Sequence, residues 1–230
     1  MRLEKQSTSL SICNKEYEGE KTRSATFRHG PLLPQTIRCI LAGPSNCGKT
    51  NIIISLIENI NGIKFENLYV YCKSLHQPKY VYLRKLIAPI KRIKYHEYSD
   101  NSNIAPLNKV APNSVFIFDD VSCENQNVMR TYYSQGRHRK IDCFYTIQSY
   151  AQMPKHLIRD NANLICAFPQ DRTNIKHIYE DRVNTDMSFD KFLEVCSLCW
   201  QDPYSFLVIN KDCNISAGRY RKQFDEFVII

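Results

Sequence analysis

Residues 43–50 have the types and spacing needed to bind phosphate groups. They read Gly-Pro-Ser-Asn-Cys-Gly-Lys-Thr between two apolar runs. The glycines let the loop turn its backbone N–H groups inward, and the helix that follows adds the positive end of its dipole. Lys49 would reach the β- and γ-phosphates of a nucleotide, and the Thr50 hydroxyl would bind Mg²⁺. The complete pattern in strand, loop, helix context disfavours the alternative, a chance glycine turn. The predicted nucleotide-binding residues are Gly43, Pro44, Ser45, Asn46, Cys47, Gly48, Lys49 and Thr50.

A second chemical group lies in the stretch Val115-Phe116-Ile117-Phe118-Asp119-Asp120. Four apolar residues followed by two acids are typical of a buried parallel strand that delivers carboxylates to the active end of a sheet. Asp119 would hold Mg²⁺ through its water shell. Asp120 would orient and deprotonate the attacking water. The alternative is that both acids merely begin a loop, and the phosphate loop upstream argues against it.

Gln148 ends another apolar run, residues 141–148. A polar side chain at that strand tip can hydrogen-bond the γ-phosphate or the attacking water, and so sense hydrolysis. A capping role in the next turn is the alternative. A basic cluster, Gly136-Arg137-His138-Arg139-Lys140, precedes this strand.

The elements that would position these residues alternate along the chain. Alternation of strands and helices predicts a three-layer α/β fold with a mostly parallel central sheet. Residues 93–98 alternate polar and apolar and suit an exposed or edge strand. We predict a flexible N-terminal arm over residues 1–30 and one domain over residues 31–230. Predicted strands are 37–42, 67–72, 93–98, 115–120, 141–148 and 163–168; predicted helices are 51–60, 80–87, 125–134, 154–158, 173–180 and 189–199; residues 204–209 and 215–219 would form a closing hairpin.

Charge and cysteine content narrow the class of protein. The 230 residues contain 31 Lys and Arg against 23 Asp and Glu, a net charge of +8, which is compatible with a nucleic-acid partner or with a plain basic surface. The ten cysteines are scattered singly through apolar runs, as in proteins of reducing compartments, so we expect an intracellular protein. No apolar run approaches the roughly 20 residues that a bilayer-spanning helix needs, so no membrane partner is expected.

Cys196-Ser-Leu-Cys199 raises the alternative of a zinc site. A structural zinc ion needs four convergent ligands, and this pair lacks a second closely spaced Cys or His pair. Cys213 and His177 are the candidates to complete it.

Several segments together resemble a known family. The sequence is similar to the DNA-packaging ATPases of large DNA viruses, of the poxvirus type, and of Polinton/Maverick transposons, within the FtsK/HerA division of RecA-like (ASCE) P-loop NTPases. The resemblance covers about residues 35–170. The segments that carry it are GPSNCGKT at 43–50, FIFDD at 116–120, GRH at 136–138, Gln148-Ser149, Met153-Pro154 and Arg159-Asp160-Asn161.

This resemblance implies an ATP-hydrolysing, Mg²⁺-dependent motor that threads double-stranded DNA, into a viral capsid, as a homo-oligomeric ring. It implies capsid or portal proteins as further partners, and a location in the host cytoplasm or nucleus or in the virion. Lys49, Asp120, Gln148 and Arg137 would be the catalytic residues, with Arg137 acting as an arginine finger from the adjacent subunit and Arg159 as the second candidate. The wider division usually has Glu where this chain has Asp120, so the shorter side chain must approach the water more closely.

Two other functions are compatible with the same phosphate loop. A small-molecule kinase, acting on a nucleoside or nucleotide, would use the same phosphate loop and need an arginine-rich lid, for which Arg130, Arg137 and Arg139 are the nearby candidates. A nucleotide-regulated binding protein would not turn ATP over. Arg137, Arg139 and Lys140 would form a basic face for DNA phosphates or solvent if Arg137 is not a finger.

Overall fold

The computed structural model describes residues 28–121 and 125–230, which form a nine-stranded sheet with helices on both faces. The strand order is β3-β2-β4-β5-β1-β6-β7-β8-β9. The strands are β1 (Arg38–Ala42), β2 (Asn67–Cys72), β3 (Lys94–Tyr98), β4 (Ser114–Asp119), β5 (Ile141–Ile147), β6 (Leu164–Ala167), β7 (Leu207–Asn210), β8 (Tyr220–Lys222) and β9 (Glu226–Phe227). The helices are α1 (Lys49–Glu58), α2 (Pro78–Ile87), α3 (Asn127–Gln135), α4 (Arg172–Arg182) and α5 (Phe189–Cys199).

The predicted mostly parallel sheet is confirmed. Strands β1 to β6 pair in parallel, and β7, β8 and β9 continue the sheet in antiparallel fashion. The half-buried strand β3 lies at an edge, as its polar alternation predicted. The inner strands β2, β4 and β5 are buried along their whole length, which explains their unbroken apolar runs.

Two hydrophobic cores lie on opposite faces of the sheet. In β1, Cys39 and Leu41 face one core, while Ile40 and Ala42 face the other. Helices α1 and α2 pack on the first face, and α3, α4 and α5 pack on the second. This is the predicted three-layer α/β architecture, and the fold is RecA-like.

Strand order decides which chain segments meet. Strand β5 lies between β1, which leads into the phosphate loop, and β4, which ends in Asp119. Because these three strands are parallel, the loop, the acids and Gln148 all lie where the strands have their carboxyl ends, along one edge of the sheet. We refer to this edge as the active edge.

The end of the chain differs from the predicted hairpin. Strand β7 does turn back into an antiparallel partner, but that partner is Tyr220–Lys222. Residues 215–219, the predicted second strand, instead form a 3-10 turn at Ile215–Ala217, followed by Gly218, which has φ 88°. Residues 154–158, predicted as a short helix, form turns followed by a 3-10 turn at Arg159–Asn161.

Residues 28–30 are the only part of the predicted arm that the structure describes. Residues 1–27 of the predicted arm lie outside the described residues, whereas residues 28–30 are packed against the domain. Asp142 forms an ion pair with Arg28, at 2.9 Å, and its Oδ2 lies 3.1 Å from Nε2 of the buried His29. The boundary between arm and domain at residue 30 stays a prediction. In the described part of the chain, every helix is too short or too polar to cross a bilayer.

Candidate functional site

The phosphate loop takes its shape from its two glycines. A Cβ at Gly43 would lie 2.7 Å from Phe168 and from the Cys47 sulfur, so only glycine fits there. Gly48 has φ 113°, which side-chain-bearing residues rarely adopt, and it precedes the first residue of α1. The Gly43 N–H donates to the carbonyl of Ile147, which fixes the loop to the end of β5.

Lys49 lies folded over this loop. Its Nζ donates to the carbonyl oxygens of Gly43 at 2.6 Å and Pro44 at 2.8 Å. The ammonium group is therefore held inside the curve of the loop, where phosphate oxygens would replace the carbonyls as its partners. The placement agrees with the predicted phosphate role of Lys49, which stays a prediction.

Asp119 is the buried acid at the end of β4, and three hydroxyl groups contact its carboxylate. The Thr50 hydroxyl lies 3.5 Å from Oδ2, Tyr80 donates to the same oxygen, and Thr146 donates to Oδ1. Burial raises the pKa of Asp119 and the charge of Asp120 adds to this, while the hydrogen bonds from Thr146 and Thr50 and the charge of Lys49 oppose it. A divalent cation would favour the ionised form.

The donor set fits Mg²⁺. A hydroxyl from Thr50 and a carboxylate from Asp119 are hard oxygen ligands, adjacent in space and at the mouth of the phosphate loop. Two protein ligands suffice for Mg²⁺, which keeps several waters and takes the rest of its ligands from substrate phosphates.

Asp120 and Gln148 complete a polar cavity of about 160 Å³, which we call the phosphate cavity. Asp120 is exposed and has φ 56°, a left-handed conformation that Asp tolerates better than most residues. Its N–H donates to Thr146 Oγ1 at 3.3 Å, so the turn that presents its carboxylate is fixed. The residues that line the cavity are Ser45, Asn46, Gly48, Lys49, Thr50, Cys72, Gln77, Lys79, Asp119, Asp120, Thr146, Ile147 and Gln148.

The two finger candidates lie away from this cavity. Arg137 is exposed in the 3-10 turn before β5, whereas Gln148 follows the other end of that seven-residue strand. At about 3.3 Å per residue, the two ends are roughly 20 Å apart, so Arg137 cannot reach the phosphates of its own chain. Arg159 is buried, pairs with Asp181 at 2.9 Å and lies over the Tyr150 ring, so a finger role would require that pair to break.

Three residues of the site were not found from the sequence. Tyr80 reads as an ordinary core position of a helix, and Lys79 as its solvated neighbour. For Thr146 the sequence does contain a signal of a site residue, because Thr146 is a polar residue near the end of an apolar strand. All three line the phosphate cavity or bond Asp119, since α2 begins at the active edge and β5 lies next to β4.

A larger cavity of about 460 Å³, which we call the nucleoside cleft, adjoins the loop on its other side. Cys47, Gly48 and Asn51 form its inner end, next to the phosphates' predicted position. Its size is within the usual range for small-molecule sites. Its aromatic lining residues are Phe168, Tyr204, Phe206 and Phe224, and its polar ones include Ser55, Asn59, Asn61, Gln223 and Asp225.

The zinc alternative is wrong for the described residues. Cys196 and Cys199 lie on the buried face of α5, and burial raises the pKa of Cys196 to about 12 and that of Cys199 to about 11. Across residues 28–121 and 125–230, His, Cys, Asp and Glu side chains nowhere gather in threes that could hold a metal ion.

Fold and site together define a P-loop ATPase. The chain belongs to the poxvirus A32 protein family, whose model matches residues 24–225. Among curated proteins, none matches this sequence.

Solved structures share the fold at low sequence identity. The genome packaging NTPase B204 from Sulfolobus turreted icosahedral virus 2, in complex with ATP-gammaS, is 13% identical with a TM-score of 0.53, over 83% of this chain and 97% of that chain. Its complex with AMP gives 12% identity and a TM-score of 0.56, over 86% and 100% of the two chains. B204 from Sulfolobus turreted icosahedral virus, described as a DNA-packaging ATPase, is 15% identical with a TM-score of 0.52, over 80% and 95%.

Proposed function

We propose that this chain is the motor ATPase of a viral genome-packaging apparatus, which moves double-stranded DNA as a ring of identical subunits. The observation that carries the proposal is the sheet order, with β5 between the phosphate-loop strand and the acidic strand. This order joins Lys49, Asp120 and Gln148 in one cavity, as ATP hydrolysis requires. The B204 proteins, described as genome packaging NTPases, support the packaging assignment.

ATP would lie across the phosphate loop and occupy both cavities. Its phosphates would bind backbone N–H groups of residues 45–50, and its base and ribose would extend into the nucleoside cleft. Gly48 lines both cavities, so a continuous ligand can pass from one to the other. Exposed Tyr204 at the cleft would stack on the base.

Hydrolysis would proceed through the residues of the phosphate cavity. Thr50 and Asp119 would hold Mg²⁺, which supplies positive charge to the phosphate oxygens when bound. Asp120 would accept a proton from the attacking water. The oxygen of that water attacks the γ-phosphorus as the bond from the γ-phosphorus to the β,γ-bridging oxygen breaks. Gln148 would hydrogen-bond the water or the γ-phosphate.

The position of Arg137 supports a ring. Because Arg137 is exposed and about 20 Å from its own site, it can serve as a finger only for a neighbouring subunit. Head-to-tail contacts between identical subunits form a ring when the rotation between neighbours closes. If Arg137 is not a finger, it can contact DNA phosphates instead, together with Lys140.

Two further features agree with the proposal. The net charge of +8 favours binding to DNA. The cysteines that the structure describes are free, as is usual in reducing compartments, and support our proposal of an intracellular location.

The kinase alternative has less support. It needs arginines that close over the transferred phosphate. Arg137 is at the far end of β5, and Arg139 donates to the carbonyls of Leu107 and Val110, so neither is placed to form such a lid. Nor does any observation favour a binding protein without turnover over the hydrolase.

The direct test is ATPase activity with and without double-stranded DNA at one fixed salt concentration. We expect DNA to raise the rate, and Lys49→Ala to abolish it. A rate that is indifferent to DNA, in a protein that hydrolyses ATP, would overturn the packaging proposal and leave the ATPase in place.

Mixing of variants tests the ring. Arg137→Ala should be inactive alone, and mixing it with Lys49→Ala should restore part of the activity, because each variant supplies what its neighbour lacks. Arg92→Ala is the matched control, since Arg92 is also an exposed arginine at the end of the sheet opposite the site. Full activity of Arg137→Ala alone would exclude the finger role.

A further inference from the structure

Lys79 is a second lysine at the phosphate cavity. It lies in the first turn of α2, is half-buried, and lines the cavity together with Lys49, Thr50 and Asp120. Neither the phosphate loop nor the acidic strand contributes it. It belongs to α2, the helix that follows β2, and so reaches the cavity from a third segment of the chain.

Helix α2 is fixed to the site by the next residue. Tyr80 is buried and donates to the carboxylate of Asp119, so the start of α2 cannot shift relative to the acid. Pro78 at the first helical position pre-sets the backbone there. Lys79 is thus presented to the cavity from a rigid base.

Lys79 lacks a protein partner. In the described part of the chain it makes no hydrogen bond or ion pair, whereas Lys49 bonds two carbonyls and Arg84 of the same helix pairs with Glu97. A half-buried ammonium group gains most from an anion. Asp120 lines the same cavity and forms no ion pair with Lys79.

Electrostatics places Lys79 within reach of the loop. Burial raises the pKa of the Cys47 thiol, and the positive charges of Lys49 and Lys79 both oppose that rise. The charge of Lys79 therefore reaches the phosphate loop, and the lining of the phosphate cavity places Lys79 beside Lys49 and Asp120.

We propose that Lys79 binds the γ-phosphate of ATP within its own subunit and so distinguishes ATP from ADP. This inference rests on the proposed function, in that it takes phosphates to bind residues 43–50. Lys49 then contacts the β- and γ-phosphates from inside the loop, and Lys79 contacts the γ-phosphate from the α2 side. Its charge also stabilises the negative charge that develops as the γ-phosphoryl group leaves.

The test compares the affinity of a non-hydrolysable ATP analogue with that of ADP, both with Mg²⁺ and without DNA. Lys79→Ala should weaken the analogue about 10- to 100-fold, the range for a lost charged hydrogen bond, and change ADP by less than about 2-fold. Lys79→Arg should retain part of the preference. Lys85→Ala is the matched control, because Lys85 is exposed on the same helix and outside the cavity.

Each outcome of this comparison either supports or overturns the role of Lys79. Equal weakening of both nucleotides would mean that Lys79 acts on the loop or the β-phosphate and would overturn the proposal, as would unchanged binding of both. Thermal unfolding of the variants separates these results from a folding defect. This binding assay needs no DNA. A wild-type protein that binds ATP but whose ATPase rate does not respond to DNA would therefore overturn the packaging proposal without affecting the proposal for Lys79.

Discussion

The hydroxyl of Tyr80 donates a hydrogen bond to the carboxylate of Asp119, which links helix α2 to the predicted metal ligand. Tyr80 is 1% exposed, and its ring packs in the core between α2 and the sheet. Outer-shell partners of this kind orient a ligand and tune its affinity for the metal.

Tyr80→Phe should therefore weaken Mg²⁺ binding. We expect the Mg²⁺ concentration for half-maximal ATPase activity to rise about 10-fold, because Asp119 loses the group that orients Oδ2. Tyr82→Phe is the control, since Tyr82 lies on the same helix and its hydroxyl bonds Glu58 at the surface. An unchanged Mg²⁺ dependence in Tyr80→Phe would show that this bond does not matter for the metal.

Asp120→Asn should slow hydrolysis and leave nucleotide binding intact. Asn keeps the shape of the side chain and tolerates the left-handed φ of 56°, so backbone strain is not a confounding factor. Loss of a general base should lower kcat about 100-fold or more. The measurement is kcat against ATP affinity, with exposed Asp100→Asn as control. Wild-type kcat in Asp120→Asn would assign the proton transfer to another group.

Tyr204→Ala should weaken ATP and ADP equally. Tyr204 is 74% exposed at the nucleoside cleft, and a base that stacks on it would gain about 1 to 3 kcal/mol. In the lower half of this energy range, loss of the stacking would weaken nucleotide affinity roughly 10-fold. Tyr204→Phe keeps the ring and should bind normally. A loss confined to ATP, or none, would place the base elsewhere.

Asp186 should make stability depend on pH. Burial by itself raises the pKa of Asp186, but hydrogen bonds from Tyr220 and Arg219 outweigh it, and the net pKa is lowered. A lowered folded pKa gives a contribution that is present above the unfolded value, about 3.9, and lost as pH falls through the folded pKa.

Asp186→Asn should accordingly lower the free energy of unfolding by about 1 to 3 kcal/mol at pH 7, and the difference from wild type should shrink below about pH 4. Urea unfolding across this range measures it. Asp202→Asn is the control: its side chain is 63% exposed, so its pair with Lys222 should contribute little. A difference that persists undiminished at pH 3 would contradict the assignment.

Local pattern was enough to predict the phosphate loop, because its chemistry is contained in eight consecutive residues. The inner strands were also predictable, since strands buried on both faces need unbroken apolar runs. The alternation of these strands with helices gave the three-layer architecture. The closing hairpin was less accurate, because short strands at the end of the sheet depend on which neighbour they pair with.

Tertiary structure decided what no local pattern contains. Strand order placed Thr146 beside Asp119, and the path of α2 brought Tyr80 and Lys79 to the active edge. The length of β5 separates Arg137 from the phosphate cavity of its own chain. These relationships join residues that are 27 to 39 positions apart in sequence, as for Asp119 with Thr146 and with Tyr80. Sequence thus determined that the chain binds a nucleoside triphosphate, and the packing of the sheet decided which side chains surround it.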